Sequence, residues 1–133
     1  MMKKYHIAFL CCALVFCGLD YLWLEHVAKD FYRSQLGDLL GHVDMAAAAL
    51  FYLIYIFGVV VFSVRPALKS GNFFKAMVYG ALLGMVAYGT YDLSNLATIK
   101  GWSRQLALVD IVWGMFATSM AATTGFVGAS WFK

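Results

Sequence analysis

Three aspartates sit inside apolar stretches long enough to cross a bilayer: Asp20 in LVFCGLDYLWL, Asp92 in AYGTYDLSNL and Asp110 in LALVDIVWGMF. A fourth, Asp44, opens the apolar run DMAAAAL. An acid near mid-membrane costs roughly 2.5–3.5 kcal/mol on insertion scales, so it persists where it is paired, neutralised or used. Carboxyls held in such places exchange protons, hold cations or act as general acids and bases. Helical spacing supplies their companions, because residues three and four apart share a face. Trp23 stands one turn from Asp20 and Trp113 one turn from Asp110, while Tyr88, Asp92 and Asn95 form a stripe. The D-x-x-W spacing therefore occurs twice, in GLDYLWL and in LVDIVWG.

The elements that carry these acids follow from composition. A chain of 133 residues that is 63% hydrophobic and only 13% charged, with a mean hydropathy of +0.76, suits lipid rather than water. It has room for about four spans of roughly 20 residues. The expected fold is all-α: an integral membrane protein whose four transmembrane helices form one antiparallel bundle, a single domain over 1–133. The spans are expected at about 5–27, 44–64, 74–96 and 106–132. The first imitates a signal peptide but lacks an A-x-A-like cleavage site, and is read as an uncleaved helix. Between the first two spans, Phe31, Leu36, Leu39 and Leu40 alternate with Lys29, Arg33 and Asp38. That pattern predicts a short interfacial amphipathic helix over about 28–41.

Basic residues in the short flanks set the orientation. Lys3, Lys4, Arg65, Lys69, Lys75 and Lys133 fall on one side, against Lys29, Arg33, Lys100 and Arg104 on the other, which favours both termini in the cytoplasm. The net charge of +3 lies at span ends, as in membrane anchoring, and argues against nucleic-acid binding. Helix rise then converts sequence position into depth. Asp20, 15 residues beyond Tyr5, rises roughly 22 Å into a core of about 30 Å, and Asp92, 16 residues beyond Ala76, climbs about 24 Å. Asp110, eight residues past Trp102, lies about 12 Å below the outer boundary. With Asp44 at the start of its span, all four acids fall in the outer half of the membrane, one per helix. They are expected to converge in one polar cavity open to the extracytoplasmic face, sharing protons or holding cations because like charges that close cannot all ionise.

Other residues carry plainer readings. Cys11, Cys12 and Cys17 share the first helix and suit packing better than a disulfide framework. His26, His42, Glu25 and Asp44 have no recognised metal-ligand spacing, so no metal and no cofactor is expected. Gly80-x-x-x-Gly84 and the series Gly114, Ala117, Ala121, Gly125 and Gly128 read as close-packing faces. Hydrogen bonding that simply fixes the bundle's register is the structural alternative for the acids themselves.

The runs DYLWL, FYRSQLG, LFYLIYIFG, RPAL, YGTYDLSNLATIKGW and VDIVWG resemble the bacterial family catalogued as domain of unknown function 2177. The resemblance spans nearly the whole chain and implies a small inner-membrane protein with four helices. Its recurring residues map to Asp20, Trp23, Tyr91, Asp92, Asn95, Trp102, Asp110 and Trp113, the same layer deduced from depth. Ser103 departs from the pattern, which leads one to expect a proline after Gly101 and Trp102, and the departure bears on the outer loop's rigidity.

Two functions of different class fit these residues. The first is a binder or carrier of a small amphiphilic or lipid-like molecule, with a site formed by Asp20, Trp23, Asp44, Tyr88, Tyr91, Asp92, Asn95, Trp102, Asp110 and Trp113. The second is a membrane-embedded lipid-modifying enzyme with Asp92 or Asp110 as acid or base. A structural accessory subunit, or a homodimer, would instead use the Gly/Ala faces. The expected surroundings are the bilayer of a bacterial inner membrane, an amphiphilic ligand and a membrane-protein partner.

Overall fold

The computed structural model describes residues 2–132; Met1 and Lys133, the latter counted above among the flanking bases, lie outside the described residues. The chain is 89% helical. Helix α1 runs Met2–Leu22 and widens into a π-helical turn, Trp23–Val27. A short helix α2, Lys29–Leu36, follows. Helix α3, Met45–Val59, passes through a second π-helical turn, Val60–Val64, into α4, Arg65–Ser70. The two longest helices complete the chain, α5 at Phe73–Thr98 and α6 at Arg104–Ser130. Four continuous helical runs, Met2–Val27, Met45–Ser70, Phe73–Thr98 and Arg104–Ser130, are long and apolar enough to cross a membrane.

Local chemistry explains the boundaries. Asp44, Asn72 and Ser103 each precede a helix, and their side chains accept the backbone N–H of Ala47, Phe74 and Leu106 at 3.1, 2.9 and 3.0 Å, satisfying donors that a helix start leaves free. Gly71 adopts a left-handed φ of 64° and ends α4, a conformation that costs glycine little. Two boundaries differ from the sequence expectation. The second span does not stop at Val64 but continues past Arg65 and Pro66 to Ser70. Proline cannot donate to the helical ladder, and the preceding π-helical turn, closed by Arg65 N–H on Val60 O, re-aims the backbone so that helix can resume. The interfacial helix is shorter than 28–41: it ends at Leu36, a 3-10 turn fills Gly37–Leu39, and Gly37 at φ 52° breaks the ladder.

Small residues set the packing. A Cβ on Gly84 would strike the backbone of Gly114 and Met115, and one on Gly80 would lie 2.9 Å from Ala122, Ser119 and Thr118, so α5 and α6 approach backbone to backbone. Gly125 does the same for α1 at Cys12 and Ala8. Ala8, Cys12 and Phe16 of α1 meet Tyr55, Ile56 and Val59 of α3 and Ala117 and Ala121 of α6 in one buried core. Large apolar side chains such as Leu14, Ile54, Phe57, Val86 and Val112 face outward, the pattern of a bundle whose solvent is lipid. Cys12 is buried with its thiol donating to Ala121 O at 3.2 Å, whereas Cys17 is exposed on the outer surface; all three cysteines are free.

Candidate functional site

At the end of the bundle where α1 and α5 finish and α3 and α6 begin, the helices do not close on one another. They enclose a cavity of about 620 Å³. Its walls include Asp20 of α1, Tyr52 of α3, Ala87 and Tyr88 of α5 and Asp110 of α6. Asp92, Tyr91 and Trp102 line it too, and α2 with its following turn adds Tyr32, Leu36 and Leu40. The segment between the first two spans thus forms part of the cavity's lining.

The three lining acids are treated unequally. Asp20 is mostly buried, and Tyr52 donates its hydroxyl to Asp20 Oδ2. Asp110 Oδ1 accepts the Tyr32 hydroxyl at 2.7 Å, and the same hydroxyl oxygen accepts Trp23 Nε1–H at 2.7 Å. This chain of three groups pins α2 to α1 and α6. Burial, and then the neighbouring Asp110 carboxyl, hold the Tyr32 phenol above the usual tyrosine range, so it stays a donor. Asp92 has no such support. It is fully buried, 0% exposed, and no hydroxyl or N–H donates to either carboxyl oxygen; the Asp110 carboxyl stands within hydrogen-bonding reach of it. An unmet buried acceptor costs about 1–3 kcal/mol, more when charged. The indole N–H of Trp102 is likewise buried and unpartnered on the cavity wall.

Not every sequence candidate reaches the cavity. Asp20, Tyr88, Tyr91, Asp92, Trp102 and Asp110 do. Trp23 and Trp113 lie behind it, stacked on each other at 4.4 Å and 6°, so the two D-x-x-W turns of α1 and α6 meet through their rings. Asp44 does not join the acids: it is exposed and occupied in capping α3. A helix start leaves N–H groups that claim the nearest carboxyl. Asn95 is half-buried and off the cavity wall, a turn beyond Asp92. Tyr32 and Tyr52, which the residue-by-residue reading did not select, hold two of the three acids. Their only signal lay in FYRSQLG and LFYLIYIFG, runs already singled out for resemblance.

Ser103, at the position where proline was expected, caps α6 and donates its hydroxyl to Gln35 of α2. Tyr91 and Trp102 meet edge to face at 5.7 Å, so the outer loop and α2 are both tied to the cavity rim. Among the described residues, no group of three or more His, Cys, Asp or Glu side chains is gathered to hold a metal ion.

No curated protein and no solved structure matches this chain. A family model described as a predicted membrane protein (DUF2177) matches residues 5–127. Those residues take in the second and third apolar helices whole, nearly all of the first and fourth, and every acid of the cavity, and the chain belongs to that family, the membrane proteins of domain of unknown function 2177.

Proposed function

We propose that this membrane protein binds, and carries or presents, a small amphiphilic or lipid-like molecule in the cavity that α2 helps to line. The observation that carries the reading is Asp92: a fully buried carboxyl that no hydroxyl or N–H reaches, on the wall of a cavity of about 620 Å³. Buried polar groups are almost always hydrogen-bonded, so an orphan on a cavity wall marks a partner that comes and goes. The volume falls within the range of small-molecule sites, and the mixture of many apolar walls with few polar groups is typical of them. Leu24, Leu36, Leu40, Phe51 and Leu106 offer the apolar wall, and Trp102 N–H offers a second polar contact.

The reading extends to setting. The protein sits in a bacterial cytoplasmic membrane with both termini cytoplasmic, which the excess of basic residues on that side supports, and the cavity then faces outward.

Native mass spectrometry of the purified protein, beside Asp92→Asn and Asp110→Asn in the same detergent, tests the proposal. A specific small molecule or lipid retained by the wild type and lost from the folded variants is expected. The same nonspecific lipids on all three proteins would sink it.

A further inference from the structure

The cavity's charge is one-sided. Three aspartates line it, and no lysine, arginine or histidine does. The basic residues of that end, Lys29, Arg33, Lys100 and Arg104, are exposed. The one ion pair among the described residues, Lys29 with Glu25 at 3.8 Å, lies between α2 and the turn before it, off the cavity wall. Two of the acids receive tyrosine hydroxyls, Asp20 from Tyr52 and Asp110 from Tyr32, while Asp92 receives none. The rings of Tyr88, Tyr91 and Trp102 line the same cavity. Aromatic faces attract cations, more strongly where water is excluded, and a buried carboxylate without a partner is stabilised most by a charge-assisted donor.

Resting on the reading of the cavity as an amphiphile site, we infer that its ligand is an amphiphile with net positive charge: an alkyl ammonium whose nitrogen donates to Asp92 and whose chain lies against Leu36, Leu40 and Phe51. Zwitterionic phospholipids fit poorly. Their ammonium would be met, but the lining holds no cationic side chain for their phosphate, which would be buried without a counter-charge. A free fatty acid's carboxylate meets the same want of a counter-charge. A neutral alcohol can donate to Asp92 but gains nothing from the aromatic faces.

Three probes with one twelve-carbon chain separate these cases: dodecylammonium, dodecanol and dodecanoate, titrated onto the full chain in dodecyl maltoside and read by native mass spectrometry. One dodecylammonium per protein is expected, bound about tenfold or more tightly than either other probe, the scale of one charge-assisted hydrogen bond. Asp92→Asn is expected to bring dodecylammonium down to the level of dodecanol. Equal binding of dodecanol or dodecanoate overturns the inference about charge and leaves the amphiphile site standing. Binding of none of the three overturns both. If Asp92→Asn fails to fold, the ranking of the three probes on the wild type decides the question alone.

Discussion

One face of α5 carries Ala76, Gly80, Gly84, Tyr88 and Asp92 at four-residue intervals, and the two halves of that stripe behave oppositely. In the first half, glycines bring α5 against α6 until the backbones touch at Gly114, Met115 and Ser119. In the second, the Tyr88 ring covers Gly114 and lines the cavity, and Asp92, one turn further on, is buried in its wall beside Asp110. A single helix thus serves as a tight seam for two turns and as a cavity wall for two more. The lesson is that side-chain size along one stripe meters the distance between two helices: glycine closes it, and tyrosine props it. Stability resides in the seam, where van der Waals contact holds helices together in lipid. The unmet polar group resides where packing has been withheld.

The contrast can be broken most severely at the seam. Gly84→Leu forces a side chain into the Gly114 backbone, which has no rotamer to yield. Its cost should exceed the roughly 1–3 kcal/mol typical of overpacking, seen as loss of a monodisperse species on size exclusion in detergent. If Gly84→Leu purifies and melts like the wild type, the seam does not hold the bundle.

The cavity half should respond with the opposite sign. Asp92→Leu removes an orphaned acceptor and fills space, so the unfolding midpoint in detergent should rise, by about 1–3 kcal/mol in stability, while ligand retention falls. A destabilised Asp92→Leu would mean the carboxyl is structurally partnered after all.

Smaller and more local is Tyr32→Phe, which deletes the hydroxyl joining Trp23 to Asp110. About 1–2 kcal/mol of local stability should vanish, read as faster amide hydrogen exchange over 29–39 with α5 and α6 unchanged. The same contact has a pH signature. The phenol is held protonated in the folded state, above its unfolded value of about 10. Its contribution is therefore complete below pH ~10 and declines as pH rises beyond it, because the unfolded chain then loses the proton first. Exchange over 29–39 that accelerates between neutral pH and 9, after correction for intrinsic rates, would contradict this.

The smallest effect belongs to Gly89→Ala. A Cβ there meets nothing within 4 Å, so the helix should gain about 0.5–1 kcal/mol from lost backbone freedom in the unfolded chain. Paired with Gly84→Leu, it separates glycine needed for approach from glycine merely present, and a Gly89→Ala protein with a lowered midpoint would erase that distinction.

Much of this was legible beforehand. Apolar runs interrupted by turn residues imply four helices whatever their neighbours, because backbone groups in lipid must be satisfied within the helix. Rise per residue placed Asp20, Asp92 and Asp110 at compatible heights, and they do line one cavity. Less legible was each residue's azimuth. Height comes from counting; whether a side chain at that height points inward depends on which face the neighbours bury. Asn95 shares the outer turn of α5 with Asp92 yet misses the wall, and Asp44 turns back to cap its own helix.

By itself, then, the sequence determined that the chain is helical, that four of its helices are apolar enough to span a membrane, and which acids must be accounted for, since these depend on residue type and spacing along one chain. Tertiary structure alone decided which acids are satisfied. Tyr52 reaches Asp20 across 32 positions and Tyr32 reaches Asp110 across 78, and no periodicity within a helix encodes such pairings. It also decided that no hydroxyl or N–H reaches Asp92, because an unmet hydrogen bond is a property of everything around a group and of no residue in particular.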